Sequence, residues 1–138
     1  MIDVTVKTTK LDLSLDLPDR KFWQVVALEA EKDIKKRTLS GKDVEGKAFK
    51  PYSKDYAKYR KEHGRTQRPN LVYSGRMQSA ISGTSKSDHA KLAITGTEGM
   101  KAWENERMGR NWFDLSGTQV DAIVKKATAW MKRKNDLK

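Results

Sequence analysis

Apolar residues occupy every second position in two runs near the start of the chain, residues 2–6 and residues 11–17. A period of two is typical of half-buried β-strands, whose successive side chains point to opposite faces. The polar residues 8–10 separate the two runs as a turn. The pattern therefore predicts an N-terminal β-hairpin over residues 2–17.

Two longer segments show the spacing of three and four that is typical of amphipathic helices. The first, residues 19–37, follows Pro18, which the first turn of a helix tolerates. The second, residues 117–134, follows Ser116, and Gln119 completes the pattern of a capping box. The predicted apolar stripes are Phe22, Trp23, Val26, Ala30 and Ile34 in the first helix, and Val120, Ile123, Val124, Ala127, Trp130 and Met131 in the second.

The region between these helices is polar and irregular. Residues 38–53 contain three glycine or proline breaks, which predicts a long surface loop. Such loops in a compact domain are usually functional or disordered. Short helices are predicted within residues 53–81, with Ser53 as a cap, and two strands within residues 82–96. Residues 100–108 are predicted to form a short helix or irregular turn, with Trp103 as its largest packing anchor.

These elements predict one α+β domain over residues 1–138. Its core would be a small mixed or antiparallel sheet packed against two main amphipathic helices, with long surface loops. A chain of 138 residues can bury such a core, although 36% hydrophobic and 34% charged residues make the apolar content lean. We expect such a protein to carry mobile loops or to complete its burial against neighbours.

The composition excludes several kinds of chemistry. The chain contains no cysteine, so disulfides, thiolate metal sites and cysteine nucleophiles are absent. It has no apolar run approaching the roughly 20 residues that span a bilayer, and no secretory leader pattern. We expect a soluble protein that does not enter a membrane.

The net charge of +11 is unevenly distributed along the sequence. Residues 1–20 carry a net charge of −1, residues 35–65 carry +7, and residues 125–138 carry +5. Positive fields of this kind attract nucleic acid or acidic protein surfaces. The plain alternative for any one lysine cluster is solubility.

Candidate catalytic and metal-binding residues are few. His63 and His89 are the only histidines, and each lies in a polar turn without a second ligand at metal spacing. Strand alternation places Asp12 and Asp16 on an exposed face. Asp19 lies at a predicted helix start, where an acidic residue meets the positive end of the helix dipole. The glycines form neither a phosphate loop nor a dinucleotide fingerprint. We therefore predict no catalytic residue, no cofactor, no metal and no enzymatic activity.

A family resemblance emerges from the order of motifs over residues 41–81. An acidic-glycine turn, an aromatic residue, a proline, a hydroxyl residue opening a helix, a leucine and a small residue–glycine pair follow one another. These places are held by Asp43, Glu45, Gly46, Phe49, Pro51, Ser53, Leu71, Ser74, Gly75, Met77 and Ile81. A strand ending in a glycine turn follows at residues 93–97, and residues 110–116 read Arg-Asn-Trp-Phe-Asp-Leu-Ser.

In this order, over roughly residues 19–134, the chain resembles the tail-completion, or virion morphogenesis, proteins of tailed bacteriophages. The family pattern Arg-x-Phe-hydrophobic-x-Leu-Ser corresponds to residues 110–116. The chain departs from the family at residues 101–106, where a Tyr-Ala-x-x-His pattern is common and this sequence reads Lys-Ala-Trp-Glu-Asn-Glu.

The resemblance implies a structural protein, similar to tail terminators, that caps the completed tail tube and joins it to the head at the neck. The implied partners are further copies of itself in a ring, expected to be a hexamer, the tail-tube protein, head–tail adaptor or neck proteins, and genomic DNA in the channel. The implied location is the virion tail and neck, with the host cytoplasm during assembly.

The candidate interface residues lie in the polar loop and the basic stretch after it. They are Lys42, Asp43, Glu45, Lys47, Phe49, Lys50, Tyr52, Lys54, Tyr56, Arg60, Arg65 and Arg68, and the candidate DNA-facing residues are Lys125, Lys126, Lys132, Arg133 and Lys134. The alternative function is a basic accessory protein that binds DNA or RNA nonspecifically. Tyr52, Tyr56 and Tyr59 are interleaved with lysine and arginine, a combination that suits phosphate contact and base stacking.

Overall fold

A computed structural model describes residues 2–6, 20–67, 69–71 and 75–136 of the chain. The elements are β1 (Ile2–Val6), α1 (Arg20–Leu39), α2 (Lys54–Glu62), α3 (Arg76–Ser79), β2 (Ser82–Ser85), β3 (Ala90–Ile94), α4 (Gly96–Arg107) and α5 (Gly117–Asp136). They form a small α+β fold, as the sequence predicted.

The sheet is antiparallel and has the strand order β1-β3-β2. Val4 lies opposite Leu92 across β1 and β3, and Ser85 lies opposite Ala90 across β2 and β3. The described partner of β1 is therefore a strand from the middle of the chain. The second strand of the predicted hairpin, residues 11–17, lies outside the described residues.

The core is built around α1, which packs against β2 and β3 of the sheet and against α5. In α1 all five predicted apolar positions are buried, and in α5 four of the six are buried and two are partly buried. Gly83 of β2 lies against α1, because a Cβ atom there would be 3.3 Å from Cβ of Ala27. Each large apolar side chain buried in this way contributes roughly 1.5–3 kcal/mol.

The predicted loop over residues 38–53 begins later, because α1 continues through residue 39; residues 40–53 lie outside the helices, and part of the segment is a closed turn. Lys42 and Ala48 form an isolated antiparallel bridge, and Oδ1 of Asp43 accepts the backbone N–H groups of Glu45 (2.9 Å) and Lys47 (3.0 Å). Gly46 has a φ of +80°, which a side chain would disfavour. The backbone N–H of residue 44 also donates to the carbonyl of residue 111, at 2.9 Å, so the turn is attached to the rest of the fold.

The prediction for Trp103 was wrong. Residues 96–107 form one regular helix, α4, and Trp103 is 53% exposed. The buried positions of α4 are the small residues Gly99 and Ala102. A Cβ at Gly99 would lie 2.5 Å from the carbonyl oxygen of Ile94, so the helix approaches the end of β3 through glycine.

Candidate interaction surfaces

Two arginines that the fold buries lie over the same tyrosine ring. The guanidinium carbons of Arg60, in α2, and Arg110, after α4, are each 4.9 Å from the ring centre of Tyr52. Arg60 is 1% exposed and Arg110 is 6% exposed. Arginine over an aromatic ring is an attractive arrangement, and burial strengthens it. The three side chains join α2 to the segment that follows α4.

Backbone carbonyls and asparagine side chains accept hydrogen bonds from these guanidinium groups, including one from Arg60 to Oδ1 of Asn70 at 3.1 Å. Arg110 donates to the carbonyls of Lys50 (3.0 Å) and Pro51 (3.1 Å) and to Oδ1 of Asn105 (3.2 Å). Arg60 donates to the carbonyl of Thr66 at 2.8 Å. A buried charge is tolerated only when it is hydrogen-bonded. Because the backbone acceptors of these two arginines lie in loops, the hydrogen bonds hold the loop backbone in place.

Two of the predicted interface residues require correction. Arg60 is buried against the Tyr52 ring, and Phe49 is buried in the hydrophobic core. Neither side chain is accessible to a partner in this fold. Their physical roles are packing and the fixation of loops.

Most of the other predicted interface residues are accessible. Tyr52 and Asp43 are half-buried, and Asp43 is engaged in its own turn. The exposed positions are Lys42, Glu45, Lys47, Lys50, Lys54, Tyr56 and Arg65. Arg68 lies outside the described residues.

A cleft of about 440 Å³ opens beside the Tyr52 ring, between α2, α3 and α4. Arg76 and Lys101 add positive charge to its wall, and Glu98 is the acidic residue that lines it. Lys101 donates to one carboxylate oxygen of Glu98 at 3.2 Å, while the other oxygen is buried with no hydrogen-bond partner in the described part of the chain. The cleft therefore has a predominantly positive lining.

Aromatic rings form a ladder along one face of α2. Tyr52 meets Tyr56 edge-on at 4.9 Å between ring centres, Tyr56 stacks with Tyr59 at 6.3 Å, and Tyr59 meets His63 at 4.0 Å. Spacings of three and four residues place Tyr56, Tyr59 and His63 on neighbouring turns, while Tyr52 lies just before the helix. We call Tyr52, Tyr56, Tyr59 and His63 the α2 ladder.

The outward face of α4 carries a second exposed aromatic group. Met100 is 71% exposed and lies one turn before Trp103. The guanidinium carbon of Arg107 is 5.7 Å from the Trp103 ring centre, and Arg107 also donates to Glu104 at 2.8 Å. We call Met100, Trp103 and Arg107 the α4 face. Methionine, tryptophan and arginine are among the residues enriched at protein interfaces.

The predicted DNA-facing residues of α5 are exposed where the structure describes their side chains. Lys125, Lys126, Lys132 and Arg133 are exposed, and the side chain of Lys134 lies outside the described part. Nζ of Lys126 lies 3.8 Å from a carboxylate oxygen of Glu29 on α1. The helix therefore carries a basic surface, and Lys126 of this surface is paired with the neighbouring helix α1.

Residues 110–116 form a junction between the helices. Oε1 of Glu106 accepts the backbone N–H groups of Trp112 (3.1 Å) and Phe113 (2.7 Å). Arg37 of α1 donates to the carbonyl of Trp112 (2.6 Å) and to Oε1 of Gln119 (2.6 Å). Residues 110–116 are thus held on both sides by half-buried polar side chains.

Burial changes the ionisation of this junction. It raises the pKa of Glu106, against the effect of the two backbone N–H groups that favour the carboxylate. It lowers the pKa of Arg37, against the attraction of Asp114 and other carboxylates. Both charged groups are therefore partly desolvated, and their hydrogen bonds offset that cost.

Sequence reasoning missed three of these features. It treated Arg110 only as a family match, it did not single out Glu106 with Arg37, and it placed Trp103 inside. Gly99 and Ala102 are three residues apart, and this spacing of small residues was the available signal for the buried side of α4. Nothing local in the sequence indicated the pairing of Arg37 with residues more than seventy positions away.

No family model, curated protein or solved structure matches this chain. Within residues 2–6, 20–67, 69–71 and 75–136, no group of three or more metal-ligating side chains is present. None of the described helices is both long enough and apolar enough to cross a membrane.

Proposed function

We propose that this protein is a structural subunit of a tailed-phage virion that completes the tail tube at its head-proximal end. It would act by association with further copies of itself and with tail and neck proteins, without catalysing a reaction. The order of motifs from the acidic-glycine turn to residues 110–116 supports this family assignment.

The observation that carries an assembly role is the exposed α4 face. Met100 and Trp103 leave most of their apolar surface in water although the chain is lean in apolar residues. An exposed tryptophan beside an arginine has the composition of an interface hot spot, in which a few central residues contribute most of the binding free energy. We propose that a second copy of the chain covers this face in the ring.

The test is the mass of the purified protein in solution, measured by light scattering, alone and with the tail-tube protein encoded by the same phage. The expected result is a hexamer-sized ring, formed either spontaneously or on addition of the tube protein. A chain that stays monomeric under both conditions would contradict the proposed function.

A variant then tests the surface itself. Trp103→Ala should weaken self-association at least tenfold, because it removes the largest apolar group of the α4 face. Its unfolding free energy should change by no more than about 0.5 kcal/mol, since the side chain is exposed. Leu28→Ser on α1 is the matched control, because Leu28 is also a largely exposed apolar residue. Equal effects of both variants on association would argue against the α4 face as the contact.

A further inference from the structure

The strand β2 is an accessible edge of the described sheet. The order β1-β3-β2 places β2 at the end of the sheet, and Ser82, Gly83 and Thr84 are exposed. Native proteins often protect an edge strand with a charge, a proline or a bulge. Residues 82–85 read Ser-Gly-Thr-Ser, without charge or proline, and their pairing with β3 is regular. The edge is therefore open to a further strand.

Hydrogen-bond alternation between β2 and β3 identifies the backbone groups at this edge. The N–H of Lys86 donates to the carbonyl of His89 at 2.9 Å, so these two residues form a hydrogen-bonded pair. Opposite residues of an antiparallel ladder alternate between bonded and non-bonded pairs. Ser85 and Gly83 lie one and three positions earlier in the same register. They therefore direct their N–H and C=O groups away from β3, toward the open edge.

A groove of about 480 Å³ runs along this edge. It is lined on α1 by residues between Arg20 and Glu31 and on the sheet side by residues 83–86, and we call it the α1–β2 groove. Its wall on α1 is about 16 Å long, because a helix rises 1.5 Å per residue. A strand of about five residues has the same length. Leu28, which is 61% exposed, gives this wall an apolar centre.

Charge favours one kind of extended segment over others. Arg20 and Lys86 are exposed cations of the lining, and neither forms an ion pair with any residue that the structure describes. Glu31, the acidic residue of the lining, lies 2.8 Å from Nζ of Lys35 and is neutralised by it. Acidic side chains therefore suit the unpaired cations, and apolar side chains suit Leu28. Successive side chains of a strand point to opposite faces, so one segment can carry both kinds in alternation.

We infer that the α1–β2 groove binds an extended segment of another protein, with alternating apolar and acidic residues, as an added strand beside β2. The N–H and C=O groups of Gly83 and Ser85 pair with its backbone. Leu28 contacts its apolar side chains, and Arg20 and Lys86 attract its carboxylates. In this mode of recognition the backbone hydrogen bonds supply affinity and the side-chain contacts supply selectivity. The binding is separate from the tail-completion role proposed above, which uses the α4 face.

The test is fluorescence anisotropy of the full chain with a labelled, capped peptide of about seven residues that alternates valine and aspartate. It should bind about tenfold more tightly than a peptide of the same composition with its valines and aspartates in separate blocks, because only alternation sorts them to two faces. Two further peptides carry N-methyl groups on the valine amides or on the aspartate amides. Only one of these sets faces β2, so one peptide should lose about tenfold in affinity and the other should keep it. Equal binding of both would overturn the inference.

Exposed positions allow variants that leave the fold intact. Leu28→Ser should weaken peptide binding about tenfold, because it removes the apolar centre of the groove. Lys86→Glu should weaken it by a similar factor and reverse its dependence on salt. The matched controls are Trp103→Ala on the α4 face and Lys58→Glu on α2, which should change peptide binding by less than about twofold. Unchanged binding by Leu28→Ser would overturn the inference.

Competition and light scattering test the other possible occupants. Displacement of the peptide by oligothymidine would overturn the inference and assign the groove to nucleic acid. Loss of self-association in Leu28→Ser would also overturn it and assign the groove to a second copy of the chain. A protein that binds the peptide as described but stays monomeric would support this inference while contradicting the tail-completion proposal.

Discussion

The guanidinium group of Arg110 lies over the ring of Tyr52, with 4.9 Å between the guanidinium carbon and the ring centre. The two residues are 58 positions apart, yet the same guanidinium also donates to the carbonyl of Pro51, next to Tyr52. Arg110 therefore holds both the side chain and the backbone at the entry to α2. This pair connects the aromatic ladder to the junction of the long helices.

Replacement of Arg110 should lower stability even when the positive charge is retained. A lysine cannot reproduce three planar hydrogen bonds and a ring contact, so Arg110→Lys should reduce the free energy of unfolding by about 2–3 kcal/mol. Urea denaturation measures the change. Arg107→Lys is the control, because Arg107 is exposed and its replacement should cost less than about 0.5 kcal/mol. Equal effects of the two variants would argue against a positioning role for Arg110.

Tyr52 should contribute through both its ring and its hydroxyl. The hydroxyl oxygen accepts the backbone N–H of Leu71 at 3.1 Å, and Leu71 has an unusual φ of +57°. Tyr52→Phe should cost about 1 kcal/mol for the lost hydrogen bond. Tyr52→Ala should cost about 3 kcal/mol because the ring under both arginines is also removed. Chemical denaturation of the two variants measures both losses of unfolding free energy. Equal losses for the phenylalanine and alanine variants would contradict the prediction.

The close approach of α4 to β3 depends on a glycine. Gly99→Ala would place a Cβ 2.5 Å from the carbonyl oxygen of Ile94, so the helix must shift, at a cost of about 2 kcal/mol or more. Gly117→Ala at the start of α5 is the matched control, because a Cβ there meets nothing within 4 Å. Its unfolding free energy should stay within about 0.5 kcal/mol of the parent or rise slightly. Thermal unfolding followed by circular dichroism compares both variants.

Glu106 should make the free energy of unfolding depend on pH, and the sign of this dependence is the one expected for a carboxyl group with a raised pKa. Its pKa in the fold is raised above the ordinary value of 4.5, chiefly by burial. The folded state therefore holds this proton more tightly than the unfolded chain. The resulting stabilisation is complete below pH 4.5 and is lost as pH rises through the raised pKa.

Glu106→Gln keeps an acceptor oxygen for the N–H groups of Trp112 and Phe113 but cannot ionise. The free energy of unfolding of the Glu106→Gln variant should increase relative to that of the parent as pH rises above 4.5. Urea denaturation at a series of pH values from 4 upward, about one unit apart, measures this difference. A difference between the two proteins that stays constant across the series would show that Glu106 is not the group responsible.

Individual residues show which structural features the local sequence patterns predicted. The stripes of α1 and α5 were predictable because helical periodicity depends on residues within a few positions of one another. Gln119 of the capping box accepts the backbone N–H of Ser116 at 3.0 Å, as the local spacing indicated. Trp103 was misplaced because α4 begins at Gly96 and turns its small residues, not its large one, toward β3.

The sequence by itself determined the α+β class, the two long helices, their apolar faces and the uneven positive charge, since each depends on composition or on neighbouring residues. The tertiary structure alone decided that β1 pairs with β3, that Arg60 and Arg110 are buried over one ring, and that Arg37 reaches residues 112–119. The physical reason is that these relationships join distant parts of the chain. Their free energies depend on the geometry that all the elements create together, and no local period encodes that geometry.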